Sequence, residues 1–178
     1  MLKVNIHASI AWEIEVCSCS VRKMIHRAPA VEGSVGTDVN YFLRKTGPFT
    51  ISTDPASLDF AAIFQFMSEA NWWTNLSEKS LAMALRHSLC FSLLEHDRQI
   101  GFARVITDYV TYAYLCDVFI MEERRGQGLG TWLMRSILSH PDLEPLKRIS
   151  LITHTAQDFY RKLDFRFLEE PDSYMERL

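Results

Sequence analysis

What this 178-residue chain has little of narrows its chemistry first. Its four cysteines, Cys17, Cys19, Cys90 and Cys116, lack the paired spacing of a zinc site, and Cys17 and Cys19 are too close-set for a disulfide framework. A reduced, intracellular setting is the expectation, with Cys90 and Cys116 acting as small hydrophobes in apolar strand-like runs. The six histidines, His7, His26, His87, His96, His140 and His154, form no i, i+4 pair and no motif with a carboxylate, so no metal is expected. Apolar runs are broken by charge well before they could cross a bilayer, which predicts a soluble, cytoplasmic protein with no membrane partner. Basic excess is missing as well. The net charge is −3, and residues 49–178 hold thirteen basic against eighteen acidic residues, so nucleic acid is not an expected partner and a cationic amine suits the balance better.

The chain does have enough apolar residues, 48% with 12% aromatics, for one domain with a proper core. Residues 1–47 show no sustained periodicity and end in Gly33, Gly36 and the Gly47-Pro48 punctuation. They read as a poorly ordered N-terminal extension, with residues 48–178 as the folded domain. Glu13 and Glu15 interrupt the only apolar opening, which argues against a secretory or mitochondrial leader, and Met24 is an alternative start.

From Phe49 the pattern becomes regular. Residues 49–53 predict a strand stopped by Asp54-Pro55, and Ser57 or Asp59 can cap a helix running to about Ala70. Asn75 or Ser77 can cap a second helix over 78–89, with Trp72-Trp73 in the turn between the two. Three strands follow, 90–94, 100–107 and 111–121, separated by hairpin turns and forming an antiparallel meander. Then come a loop, a helix over 129–139, a strand over 147–153, a short helix over 156–163 and a strand over 166–168.

The loop holds the most informative residues, Arg124-Arg125-Gly126-Gln127-Gly128-Leu129-Gly130, between an apolar strand and a helix. Three glycines let the backbone turn with its N–H groups facing one point, where the helix adds the positive end of its dipole. Such a cradle suits a pyrophosphate. The spacing is G-x-G-x-G rather than G-x-G-x-x-G, and no Lys-Ser/Thr follows, so dinucleotides and nucleoside triphosphates are disfavoured.

These residues resemble the acyl-CoA loop of the GNAT superfamily of N-acetyltransferases, whose signature Arg/Gln-x-x-Gly-x-Gly/Ala is met by Arg125, Gly128 and Gly130. Further on, Ala156, Phe159-Tyr160 and Asp164-Phe165 are similar to its second signature, an alanine followed by Leu-Tyr and Gly-Phe. The resemblance implies an α+β chain with a three-layer α/β/α fold, its central sheet mixed but mostly antiparallel and flanked by helices. It implies acetyl-CoA as the acyl-donor substrate, with no metal. In such proteins the strand before the loop splays at a bulge, so backbone groups of Val118 and Ile120 would pair with the pantetheine. N–H groups of Arg125, Gly126, Gln127, Gly128, Leu129 and Gly130 would hold the pyrophosphate.

The same resemblance assigns the chemistry. Tyr160 matches the tyrosine that protonates the leaving sulfur, and Asp117 stands where amine-acetylating relatives carry an acid that holds or deprotonates the acceptor through water. An alkylamine with a pKa of about 10.4 must lose a proton before attack. A carboxylate inside an apolar run also needs a partner for physical reasons, so a structural salt bridge or a bulge cap is its other reading. His154 is the alternative base. Trp73 and Tyr112 are candidate substrate contacts. Two departures stand out: Thr153 replaces a common asparagine, and Asp164 replaces the glycine before Phe165, at a position that favours a left-handed backbone. The activity implied is transfer of an acetyl group to a primary amine, that of a small molecule, by direct attack in a ternary complex. A protein lysine or N-terminal acceptor, or an inactive CoA-binding regulatory module, are the alternatives, and a homodimer is left open.

Overall fold

In the central strands, adjacent residues go to opposite sides. Cys90 and Phe102 join one buried cluster, Phe91 and Ala103 the other, as a pleated strand covered on both faces requires. The computed structural model describes residues 40–70, 73 and 76–177. Its elements are β1 (Leu43–Thr46), β2 (Phe49–Ser52), α1 (Phe60–Glu69), α2 (Glu78–Arg86), β3 (Leu89–Glu95), β4 (Arg98–Thr107), β5 (Ala113–Ile120), α3 (Leu129–Leu138), β6 (Ile149–Ser150) and α4 (Gln157–Arg161). The six strands lie in sequence order, antiparallel from β1 to β5 and parallel between β5 and β6. A parallel neighbour needs a crossover, and α3 supplies it.

Helices cover both faces. Ile63 and Met67 of α1 and Leu81 of α2 pack with Cys90, Phe102 and Phe119. Leu129, Leu133, Met134 and Ile137 of α3 pack on Ile51, Phe91, Leu93 and Val105, with Phe159 and Tyr160 of α4 against the same cluster. This is the three-layer, mostly antiparallel architecture expected. Asp59 caps α1 through the Ala62 N–H, and Ser77 caps α2 through the Ser80 N–H, each satisfying an orphan donor of a first turn.

Several boundaries differ from the expected ones: α2 ends at Arg86 rather than 89, β4 starts at Arg98 rather than 100, and four further differences have a local cause. Residues 43–46, assigned to the extension, form β1 and pair with β2, because Gly47 at φ 54° turns the chain back on itself. The strand before the loop starts at Ala113, since Asp108 accepts from the Val110, Thr111 and Tyr112 N–H groups and holds them in a turn. The strand expected over 147–153 shrinks to Ile149–Ser150. Residues 166–168 form no strand, and Phe167 and Leu168 are exposed, because a two-residue β6 offers no edge long enough for a ladder. Residues 1–39, Trp72 and the alternative cap Asn75 lie outside the described residues. Among those described, no helix is long and apolar enough to cross a membrane.

Candidate active site

Two neighbouring structures on β5 and its following loop carry the candidate chemistry. The first is the bulge. Phe102 pairs with Phe119 and Arg104 with Cys116, so Ala103 alone faces both Asp117 and Val118. Asp117 accommodates the extra residue with φ 53°, a left-handed conformation that Asp tolerates better than most side chains. On its other side, β5 pairs with β6 only at Ala113 and Tyr114. Among the described residues, no strand covers that edge from Leu115 to Ile120, the stretch that contains Val118 and Ile120.

The second structure is the loop. A single helical turn, Glu122–Arg124, leads into Gly126 at φ 77° and Gly128 at φ 78°, the latter capping α3. A Cβ at either glycine would meet nothing within 4 Å, so the concave side of the turn is open and the glycines are there for backbone conformation. Consecutive N–H groups at the start of a ten-residue helix then form an anion cradle, which fits a pyrophosphate. A cleft of about 340 Å³, lined by Gln127, Gly128, Leu129 and Trp132 and by the β1–β2 turn, opens beside it. A Cβ at Gly130 would lie 3.7 Å from Ile120 and 3.7 Å from Phe159, so α4 packs directly against the root of the loop.

The two loop arginines part company. Arg124 donates to Glu95 at 2.6 and 3.0 Å and thereby ties the loop to the β3–β4 turn. Arg98 pairs with Glu123 in the same region. Arg125 donates from Nε to the Ile120 carbonyl at 3.1 Å, bracing the loop against the end of β5.

Asp117 is the centre of a buried cluster. Its Oδ2 accepts from Arg104 Nε at 2.5 Å and its Oδ1 from Trp73 Nε1 at 3.2 Å, with both charged side chains below a tenth exposed. The Arg104 guanidinium also donates to Ser88 Oγ at 3.2 Å and lies 5.2 Å from the Trp73 ring centre. The structure thus joins Trp73 to Asp117. Tyr112 lies just before β5 instead, its hydroxyl paired with Ser150 across the β5–β6 junction. Arg104 escaped the sequence reading, although a signal existed: a lone arginine in an apolar strand next to a strand with a lone aspartate requires a partner.

Tyr160 is half-buried on α4, its ring 5.1 Å from Phe159 and 5.7 Å from Phe165 in edge-on contacts. Burial pushes its phenol above the usual range, so it keeps its proton. Thr153 accepts from the Ala156 N–H at 3.1 Å and starts α4, and Asp164 takes the left-handed φ of 66° expected of it. His154 is exposed. Cys90 and Cys116 flank Arg104 in the sheet, and burial pushes both thiols up to about 12.

A profile of the acetyltransferase (GNAT) domain matches residues 86–167, from the end of α2 to just beyond α4. The chain is 34% identical over 137 residues to the "Putative acetyltransferase" of Gibberella zeae, covering 65% of this chain and 77% of that protein. It is 31% identical over 106 residues to an uncharacterized N-acetyltransferase of Porphyra purpurea, spanning 56% of this chain and 60% of that one. A crystal structure from Xanthomonas campestris, described as an acetyltransferase of the GNAT family, superposes with a TM-score of 0.71 at 39% identity, covering 75% of this chain and 95% of that one.

Proposed function

The chain belongs to the GNAT acetyltransferase family, and from that premise we propose that it transfers an acetyl group from acetyl-CoA to a primary amine of a small molecule, by direct attack in a ternary complex. The observation that carries this reading is the junction of an open-edged, bulged β5 with a left-handed glycine turn at the start of α3. Backbone groups of Val118 and Ile120 would pair with the pantetheine, and the N–H groups from Arg125 to Gly130 would hold the pyrophosphate. Acetyl-CoA supplies an activated thioester whose thiolate is a tolerable leaving group.

The remaining groups are the chain's own. Tyr160, which burial keeps protonated, donates a proton to the departing sulfur, a contribution of about 10²–10⁴ for a positioned acid. Asp117, fixed at the bulge next to Val118, holds the acceptor amine and receives its proton through water. Trp73, bonded to Asp117, lines the acceptor side. Direct attack is favoured over a relay through cysteine because Cys116, the thiol nearest this carboxylate in sequence, stays a thiol at neutral pH when burial pushes it up to about 12.

The test is thermal unfolding with and without acetyl-CoA, beside a Gly128→Glu variant whose carboxylate enters the cradle. A ligand at about a hundredfold over Kd adds roughly 2.7 kcal/mol, several degrees in a domain of this size. A shift present in the wild type and lost in the variant is expected, followed by thiol release with members of an amine panel. Absence of any shift would remove the acyl-CoA reading. A shift without thiol release for any amine or peptide would favour a CoA-binding regulatory module.

A further inference from the structure

Arg104 has no part in the reading above, yet it is the one arginine or lysine that is buried among the described residues. It projects from β4 on the side covered by α1 and α2, in register with Cys90 of β3 and Cys116 of β5. Its fork divides between two partners, Nε to Asp117 at 2.5 Å and Nη1 to Ser88 at 3.2 Å. The Trp73 ring lies 5.2 Å from the guanidinium carbon, while the indole N–H donates to the second Asp117 oxygen at 3.2 Å. Three chain segments therefore meet at one carboxylate, namely β4, the β5 bulge and the connection between the helices, and the α2–β3 turn joins them through Arg104.

We propose that Arg104 is a positioning residue for acyl transfer, whose guanidinium, braced by Ser88 and Trp73, clamps the Asp117 carboxylate in one orientation at the bulge. The proposal rests on the reading that Asp117 meets the acceptor amine. A left-handed non-glycine residue is at an energetic disadvantage, and at Asp117 its bonded, buried side chain offsets it. The task suits arginine specifically. A planar fork holds two acceptors in a fixed geometry beside an aromatic ring, whereas an ammonium is a point charge on a flexible stem that imposes no such geometry.

The Arg104 guanidinium is the cation paired with the Asp117 carboxylate. The other titratable groups coupled to this carboxylate are Cys90 on β3 and Cys116 and Tyr114 on β5, and burial pushes all three up, so they are neutral at physiological pH. The helices contribute apolar Ile63, Met67 and Leu81 to this side of the sheet, and Phe66 stacks on Phe119 at 3.8 Å. Without the guanidinium no cation among these groups faces the carboxylate, which is left buried and unpaired.

The test compares wild type, Arg104→Gln, Arg104→Lys and Asp117→Asn, measuring the pH profile of kcat/KM for the amine and, separately, acetyl-CoA affinity by calorimetry. For Arg104→Gln the acidic limb is expected to move up by about one pH unit or more, with acetyl-CoA affinity preserved within about threefold. Arg104→Lys should restore the limb partly while kcat stays about tenfold low, because the fork is lost. An Arg104→Gln enzyme that is slower with its limb unmoved would reduce Arg104 to a structural residue and overturn the proposal. Should that variant fail to bind acetyl-CoA through misfolding, Arg104→Lys decides alone, since wild-type rate and profile there would equally overturn it. An Asp117→Asn enzyme with wild-type rate and profile would instead overturn the role given to Asp117, a separate failure.

Discussion

The glycine turn and the bulge lie on the same stretch of chain, eight to eleven residues apart, and are built on opposite principles. The turn is made of backbone: two left-handed glycines, open space where side chains would be, and N–H groups at a helix start. Its geometry is local, because the residues that form it are consecutive. The bulge is made of side chains from distant segments, with a buried ion pair, an indole and a serine around one carboxylate. The difference teaches where each is vulnerable. Small changes of backbone freedom should weaken the turn without unfolding the protein, whereas losing one partner at the bulge strands a buried charge.

The sharpest way to break that contrast is Asp117→Ala. It leaves Arg104 buried without its anion and puts alanine at a left-handed position, so stability should fall by about 3–5 kcal/mol, roughly ten degrees in melting temperature. A loss of only a degree or two in thermal unfolding would mean the cluster is not the rigid element described. Next in size is a pair of changes on the acyl-CoA side. Tyr160→Phe should lower kcat about a hundredfold with acetyl-CoA affinity unchanged. Gly128→Ala, where a Cβ meets nothing but φ is 78°, should do the reverse: about tenfold weaker acetyl-CoA binding, from a backbone penalty of about 1–2 kcal/mol, and little change in the chemical step. Steady-state kinetics beside calorimetry separates the two patterns, and exchanged patterns would dissolve the division between cradle and chemistry.

The smallest effect concerns pH and the α3 face. His140 is buried against Phe42 and Phe91, 4.8 and 5.5 Å between ring centres, and burial lowers its pKa from 6.5. The unfolded chain therefore binds the extra proton first. Stability should be complete above about pH 6.5 and decline as pH falls through and below that value. Melting curves of wild type and His140→Gln across that window check it. If the wild type loses no more stability on acidification than the variant, the histidine is not buried neutral.

How much was legible follows the same division. Gly126, Gly128 and Gly130 announced a tight turn before a helix, and the apolar run before them announced an inner strand, because both signals are carried by neighbours in sequence. Asp117 could be singled out as an isolated carboxylate in an apolar run, but not given its geometry. Its partners lie thirteen and forty-four residues away, at Arg104 and Trp73. Residues 43–46 were hidden for a related reason. Their burial pattern is exposed throughout, so no alternation marks them, and only pairing with β2 makes them a strand. The expected strand over 166–168 failed conversely, since its apolar residues found no edge to join.

Local patterns along the chain were enough for the family, the three-layer order of its elements and the position of the glycine turn before α3. Each depends on local conformation: glycine at positive φ, caps at helix starts, and the period of apolar residues. The fold in three dimensions brought Arg104 and Trp73 to Asp117 and Ser88 to Arg104, engaged Arg124 with Glu95, and left one edge of β5 unpaired beyond Tyr114 among the described residues. Buried charges take whatever partner the packing of separate strands and helices brings within reach, and nothing in the spacing along the chain encodes that distance.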